Sequence, residues 1–374
     1  MQTSSASRIW ASTMHGHQDQ QCVTAHQDSK SHLRGAAPIG RIAREDQQDQ
    51  AMAAGATRAQ GAGRRRLAED PDPWRTCFQR DADRIIHSSA FRRLAGKTQV
   101  VVFPLDHQRT RLTHALEVSQ VAEAVARGVG ANVDVARAIA LGHDCGHGPG
   151  GHAAETAFAR YLPDGYQHGP WGADVVLRPL NLCAETLDGI RRHSWSEPAP
   201  ATVEGEIVSW ADRIAYCCHD LEDATHAGVI DLDQLPTLVV ELAGRRRSQQ
   251  LRRFITALIE NTVRSGLVSM SPGEAEALAA LRQFNYDHIY MRPASQEQST
   301  AVITLLRALT DYYIEHPSAV PALDDPPEVA GVAGDVVSAV VYVAGMTDRF
   351  AFHQARNLLD YDLERIPAGI GRED

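Results

Sequence analysis

From Pro73 onward, apolar residues recur three and four apart instead of alternating, the pattern of amphipathic helices packed on a shared core. Between Arg111 and Gly130 the residues Leu112, Leu116, Val118, Val121, Ala122, Val125 and Val129 make one apolar face, and His114 falls in the first turn. The next stretch, Val133 to Asp144, carries Val135, Ala136, Ile139 and Ala140, and His143 extends that stripe four residues beyond Ile139. From Glu204 to Ala224 the stripe is Ile207, Val208, Ala211, Ile214, Ala215, Cys218 and Leu221, while Asp212, Tyr216 and Asp220 recur at i, i+4 and i+8 along one edge. Further helices are predicted over Leu235 to Leu267, Glu274 to Phe284, Thr300 to Glu315 and Val336 to Leu359, broken by Pro272, Pro293 and the loop from Pro317 to Pro327. With no convincing alternating strand, the pattern predicts an all-α protein.

The first 66 residues break this pattern. They are rich in Gln, Ser, Ala, Gly and His (QDQQ, DQQDQ, AAGATRAQGAG), and such a composition predicts a disordered extension. An alternative is that they lie upstream of the true start, with Met52 in its place. The helical remainder divides into a core over 67–230 and a C-terminal helical region over 231–374 that packs on it, because the linker before Leu235 is short. The chain of 374 residues is long enough to bury a sizeable core. No apolar run approaches bilayer length, and the start has no apolar segment followed by a small-residue cleavage site, so a cytoplasmic protein with no membrane contact is expected. Six scattered cysteines, Cys22, Cys77, Cys145, Cys183, Cys217 and Cys218, include no C-x-x-C pair, which favours reduced thiols over a disulfide framework or a structural zinc.

Charge narrows the ligand. A formal net charge of -10 argues against a protein that coats nucleic acid indiscriminately. Between Arg64 and Arg111, however, eleven Lys and Arg residues face only six Asp and Glu. An acidic protein with a basic segment leading to a reactive site suits a small anionic substrate, although a solvated basic helix face would look the same. Weak single-stranded nucleic-acid binding through this segment stays open.

The strongest local signal is Gly142-His143-Asp144-Cys145-Gly146-His147-Gly148-Pro149-Gly150-Gly151-His152. A helix that ends in adjacent His and Asp delivers an imidazole nitrogen and a hard carboxylate oxygen to one point, and the glycines with Pro149 stop the helix there. An isolated His-Asp pair is commonly just a hydrogen-bonded helix end. With His114 and Asp212 on neighbouring helices, the set becomes two His and two Asp around one ion. Such a shell suits one divalent Mn, Fe, Ni, Co or Zn and accepts Mg. His152 and Glu155 lie three apart where a helix restarts, so the carboxylate can orient the imidazole.

These residues carry a specific resemblance. The chain is similar to the HD-domain superfamily, whose pattern is H…HD…D, and within it to the deoxynucleoside triphosphate triphosphohydrolases, the dGTPase-like family. The matching motifs are WRTCFQRDADRIIHSSAFRRLAGKTQV, RTRLTHALEVSQ, ALGHDCGHGPGGHAAE, LNLCAETLDGI and VSWADRIAYCCHDLED, with VAGMTDRFA near the C-terminus. The resemblance implies an HD-domain helical fold with additional C-terminal helices. It implies His114, His143, Asp144 and Asp212 as metal ligands and His152 with Glu155 as the catalytic pair. The implied reaction converts a dNTP to deoxynucleoside and tripolyphosphate, and the implied assembly is a homo-oligomer. Arg111 resembles the family's phosphate-contacting arginine, with Arg92, Arg93, Lys97 and Arg213 as weaker candidates. Tyr216 and Asp220 match positions lining the sugar pocket, and His168 resembles a further substrate contact.

Three departures bear on specificity. Ala95 stands where many relatives carry Gln, which removes a polar group expected near sugar or base. Gly150 replaces a frequent aromatic, which predicts a more open pocket mouth. His168 is followed by Gly169-Pro170-Trp171 in place of the usual polar neighbours. Asp348 and Arg349 of VAGMTDRFA are expected to pack helices. Two other readings stay open from sequence: another HD phosphohydrolase acting on nucleoside monophosphates or guanosine polyphosphates, and a regulatory nucleotide-binding protein that does not turn over.

Overall fold

The computed structural model describes residues 5–12, 16–18, 22–100, 108–323 and 327–362. It divides into a small unit, Met1–Ile39, and a large one, Gly40–Asp374. The small unit has a short helix α1 (Ser5–Ser12) and a hairpin in which β1 (His17–Gln18) pairs antiparallel with β2 (Val23–Thr24).

The large unit is helical. It opens with α2 (Arg41–Ala51), α3 (Cys77–His87) and α4 (Ser89–Arg93). The centre is α5 (Arg111–Val129), α6 (Val133–Gly142) and the long α10 (Val203–His226), with the shorter α7 (His152–Phe158), α8 (His168–Trp171) and α9 (Ala184–Arg192) between them. Then come α11 (Thr237–Ala243), α12 (Arg247–Ser265), α13 (Pro272–Asn285), α14 (Pro293–Glu315), α15 (Gly334–Ala344) and α16 (Asp348–Leu359).

The apolar stripes read from sequence form the main core. Val118, Val121, Val125, Val135, Ile139, Ile207, Val208 and Ile214 are all fully buried where α5, α6 and α10 meet. Local chemistry sets the helix ends. Thr76 and Gln79 exchange side chain to backbone bonds in a capping box at α3. Asn132 Oδ1 accepts from the Asp134 and Val135 amides at α6, and Gly130 closes α5 in the left-handed conformation. A second core joins α7 to α14, α15 and α16 through Phe158, Val302, Leu305, Leu309, Val340 and Phe352. The helix that begins at His152 therefore rests on C-terminal helices.

Several boundaries differ from the expectations. The stretch from Leu235 to Leu267 is two helices, split at Gly244, whose φ of +81° a continuing helix cannot hold. Val336 to Leu359 is likewise split, and Thr347 caps the restart at Asp348 by accepting from the Phe350 amide. Pro272 and Pro293 open α13 and α14 as first-turn residues, so α14 starts seven residues before the predicted Thr300.

The largest difference concerns residues 40–66, which fall in the disordered extension expected from composition. They are packed instead. Glu45, Ala56 and Ala59 are buried. Glu204 Oε2 accepts from Thr57 Oγ1 at 2.6 Å, Asn132 Nδ2 donates to Thr57 O, and the Gly63 amide donates to Glu185. Arg65 pairs with the fully buried Asp81 at 2.7 Å. Partners more than seventy residues away in the chain supply this order, and composition carries no trace of them.

Candidate active site

His114 projects from the first turn of α5, His143 stands at the C-cap of α6 with Asp144 next, and Asp212 lies mid-way along α10. The crossing of these three helices brings the four together. His114 Nε2 is 3.0 Å from Asp212 Oδ1, and His143 Nε2 is 3.6 Å from the same oxygen and 3.5 Å from Asp144 Oδ1. The remaining Asp144 oxygen, Oδ2, lies 3.9 Å from His114 Nε2.

The proton arrangement at His143 fits a metal ion. Its Nδ1 donates to Ala140 O at 2.6 Å, which leaves the lone pair on Nε2. That Nε2 is buried without a hydrogen-bond partner and faces two carboxylates. An imidazole nitrogen among carboxylate oxygens calls for a proton or a metal ion between them. Burial works to lower the His143 pKa, yet Asp144 and Asp212 carry it up to about 9, so without an ion Nε2 keeps a proton that a bound metal ion would displace. Burial opposes ionisation of Asp212, but His114 and His143 hold its carboxyl well below the usual range. The donor set, two imidazoles and two carboxylates, suits a divalent ion of the first transition row or Mg.

Arg111 is buried and pairs through Nη1 with Asp144 Oδ2 at 2.8 Å. Its Nε and Nη2 are buried without partners, so two cationic donors stand ready for an anion. Gly146 lets the turn after Asp144 close, since a Cβ there would sit 2.0 Å from the His168 carbonyl oxygen.

A second cluster adjoins the first. His152 Nδ1 lies 3.2 Å from Glu155 Oε2, and Glu155 Oε1 meets His168 Nδ1 at 2.5 Å. Burial would raise the Glu155 pKa, but His152 and His168 hold it far below the usual carboxylate value. Two members escaped the sequence reading. His147 stacks on His168 with centroids 3.7 Å apart and bonds Asp144 at 3.1 Å. His193 Nε2 meets His168 Nε2 at 3.0 Å while its Nδ1 donates to Ile190 O. The motif contained the signal for His147, three residues past Asp144; His193 ends α9 outside any recognisable spacing.

His114, Asp144 and Asp212 of the first cluster and His147, His152 and His168 of the second line a cleft of about 450 Å³. Its other wall carries Tyr216, whose hydroxyl accepts from Arg282 Nε at 2.9 Å, and Asp220, which accepts from Tyr290 at 2.5 Å. Burial pushes the Asp220 carboxyl up to about 7. Arg213 also reaches the cleft and stacks on the Trp195 ring at 3.4 Å.

Other candidates lie elsewhere. Arg92, Arg93 and Ala95 are solvent-exposed and do not line the cleft, so Ala95 leaves no gap in it. Lys97 is buried as a structural tie, donating to His147 O and, at 2.9 Å, to Ala344 O. Gly150 does line the cleft, but the space a side chain would take is filled: a Cβ would stand 2.5 Å from Val302 Cγ1. The predicted open mouth is closed at this point by α14. Asp348 accepts from the amides of Thr98 and Gly150, each at 2.9 Å, and so fastens the first turn of α16 beside the site.

Residues 111–217 match the HD domain family, and residues 268–357 match the phosphohydrolase-associated domain. The chain is 38% identical over 322 residues to a deoxyguanosinetriphosphate triphosphohydrolase-like protein of Desulfatibacillum aliphaticivorans, covering 78% of this chain and 90% of that one. A protein of the same description from Caldanaerobacter subterraneus is 38% identical over 296 residues, covering 77% and 86%. Another, from Clostridium perfringens, is 37% identical over 311 residues, covering 79% and 90%.

Proposed function

The chain belongs to the HD-domain family of deoxyguanosinetriphosphate triphosphohydrolase-like proteins, and from that premise we propose that it hydrolyses deoxynucleoside triphosphates to deoxynucleoside and tripolyphosphate. Its family and its clustered His and Asp side chains support a metal-dependent nucleotide phosphohydrolase. The observation that carries the reading is the buried, unpartnered Nε2 of His143 facing the carboxylates of Asp144 and Asp212, with Arg111 bonded to the first of these and its own Nε and Nη2 unpartnered.

In this reading His114, His143, Asp144 and Asp212 hold one divalent ion. When bound, the ion supplies Lewis-acid polarisation at the α-phosphate and lowers the cost of the charge that develops there. Arg111 turns Nε and Nη2 toward phosphate oxygens while its bond to Asp144 fixes the guanidinium. His152, oriented by Glu155, holds a proton for the departing 5' oxygen, and its exposed ring has room to approach a substrate. His168, between Glu155 and His193, contacts the substrate from below. Across the cleft, Tyr216 presents its ring to C2' of the sugar, where a ribose hydroxyl would collide, and Asp220 accepts from the 3' hydroxyl.

The test is incubation of the pure protein with each dNTP under Mg and Mn, followed by chromatography of the products. Tripolyphosphate and free deoxynucleoside are expected. Orthophosphate or pyrophosphate alone would overturn the reaction while leaving the broader phosphohydrolase standing.

A further inference from the structure

Away from the cleft, two thiols meet beneath the strap that leads into α3. Cys77 is the first residue of α3 and Cys183 is the N-cap of α9. Their sulfurs lie close together on the inner side of Gly63. Both sulfurs crowd the same point over Gly63: a Cβ there would stand 2.5 Å from Cys77 Sγ and 3.5 Å from Cys183 Sγ, at a φ of +77°. Only glycine lets the strap pass this close.

The surroundings fix the pair. Arg65 donates to Cys77 O at 2.9 Å and pairs with Asp81, and the other Asp81 oxygen accepts from the Cys183 amide at 2.9 Å. Cys183 is fully buried, whereas Cys77 is half-buried and opens on a surface hollow of about 330 Å³. A small oxidant therefore reaches Cys77 first. The neighbouring Cys183 holds the Cys77 pKa below the ordinary thiol value, against burial and the Asp81 charge, with Arg65 and the helix N-terminus adding to the lowering. The Cys183 thiol is raised by its neighbour Cys77 and by burial, and those of Cys145, Cys217 and Cys218 are raised by burial, so Cys77 alone among them is the attacking thiolate.

We propose that Cys77 and Cys183 are a reversible oxidation site, in which Cys77 reacts with a peroxide and Cys183 resolves the product to a disulfide. In the first step the Cys77 thiolate attacks hydrogen peroxide. A sulfur–oxygen bond forms, the oxygen–oxygen bond breaks, and hydroxide leaves; sulfur loses two electrons and the peroxide gains them. In the second step the Cys183 thiol attacks the sulfenic sulfur. The disulfide forms, the sulfur–oxygen bond breaks, and the hydroxyl departs with the thiol proton as water. A dithiol reductant reverses the reaction. The bond closes a loop from residue 77 to residue 183 that contains His114, His143, Asp144, His152, Glu155 and His168, so oxidation clamps the site-bearing segment beneath the strap.

The test treats the full chain with hydrogen peroxide, blocks remaining thiols with a maleimide and maps unreduced tryptic peptides by mass spectrometry. The peptide TCFQR, which carries Cys77, is expected linked to the peptide carrying Cys183 and released by dithiothreitol. The oxidised protein is expected to melt about 5 °C above the reduced one. In Cys183→Ser, dimedone should label Cys77 as sulfenic acid; in Cys77→Ser, neither the link nor a label at Cys183 should appear. Recovery of TCFQR unlinked, under peroxide that oxidises the exposed Cys22, would overturn the proposal. So would dimedone labelling at Cys183 in Cys77→Ser, which would reverse the roles. Should Cys183→Ser fail to fold, the wild-type linkage map decides alone.

Discussion

The nest of His114, His143, Asp144 and Asp212 is assembled where α5, α6 and α10 cross in the main core, whereas Tyr216 and Asp220, one and two turns further along α10, are completed by Arg282 and Tyr290, 66 and 70 residues later. In the nest each group faces an opposite charge or a lone pair, and the balance is deep: His143 is fully buried, Asp144 and His114 almost so. On the far wall the contacts are single hydrogen bonds from neighbouring side chains. Removing one member should therefore collapse the function of the nest, because an uncompensated buried charge remains, but should only retune the wall.

The sharpest break in that comparison comes from separating ligands from acid. Asp212→Ala and His143→Ala are expected to lose bound metal and to lower turnover at least ~10³-fold. His152→Ala is expected to keep its metal and lose about 10² to 10⁴ in rate. Metal analysis beside single-turnover rates checks this, and equal metal loss in all three variants would show that the two clusters are one.

The same contrast explains what was legible in the sequence. Helices α5, α6 and α10 follow from apolar spacing because each buries one stripe in one core, and His114, His143, Asp144 and Asp212 sit beside those stripes or at their ends. Lys97 misled because a basic residue in a basic segment looks like a phosphate contact; only its burial against two carbonyl oxygens reveals a tie. His193 has no local pattern at all, since its meaning comes from meeting His168 across 25 residues. Residues 40–66 were opaque for a related reason. Their apolar contribution is a few alanines, and their order comes from charged and polar partners buried under other helices.

A smaller effect sharpens the far wall. Asp220 is held up to about 7 by burial, with Tyr290, His114, Asp223 and Arg109 acting on it. A carboxyl raised in the fold binds its proton more tightly there than in the unfolded chain. Its ionisation therefore costs nothing below the unfolded value of about 3.9 and costs progressively more as pH rises toward about 7. The melting temperature of Asp220→Asn should draw ahead of wild type between about pH 4 and pH 7 and hold a constant lead above that. The same variant should lose roughly tenfold in preference for a substrate bearing a 3' hydroxyl over its 3'-deoxy analogue. A lead in melting temperature that does not change with pH would remove the titration of Asp220 from the account.

The smallest expected effect lies furthest from the chemistry, at the strap. Thr57 Oγ1 donates to Glu204 Oε2 at 2.6 Å, and Glu204 Oε1 also accepts from the amides of Thr57 and Asn132, at 3.1 and 2.8 Å. Thr57→Ala removes one of three donors from a fully buried carboxylate but leaves both amides in place. The loss should be about 1.5 to 3 kcal/mol, the range for a hydrogen bond to a charged group, and a few degrees in melting temperature. Turnover under saturating metal should stay within twofold of wild type, since Glu204 is two helical turns before Asp212 on α10 and the change does not move that helix. Denaturant melts and steady-state rates measured on one preparation separate the two readouts. An unchanged melting curve would mean that residues 40–66 lie on the body without stabilising it, and that the order seen at the strap is a consequence of the core, not a contributor to it.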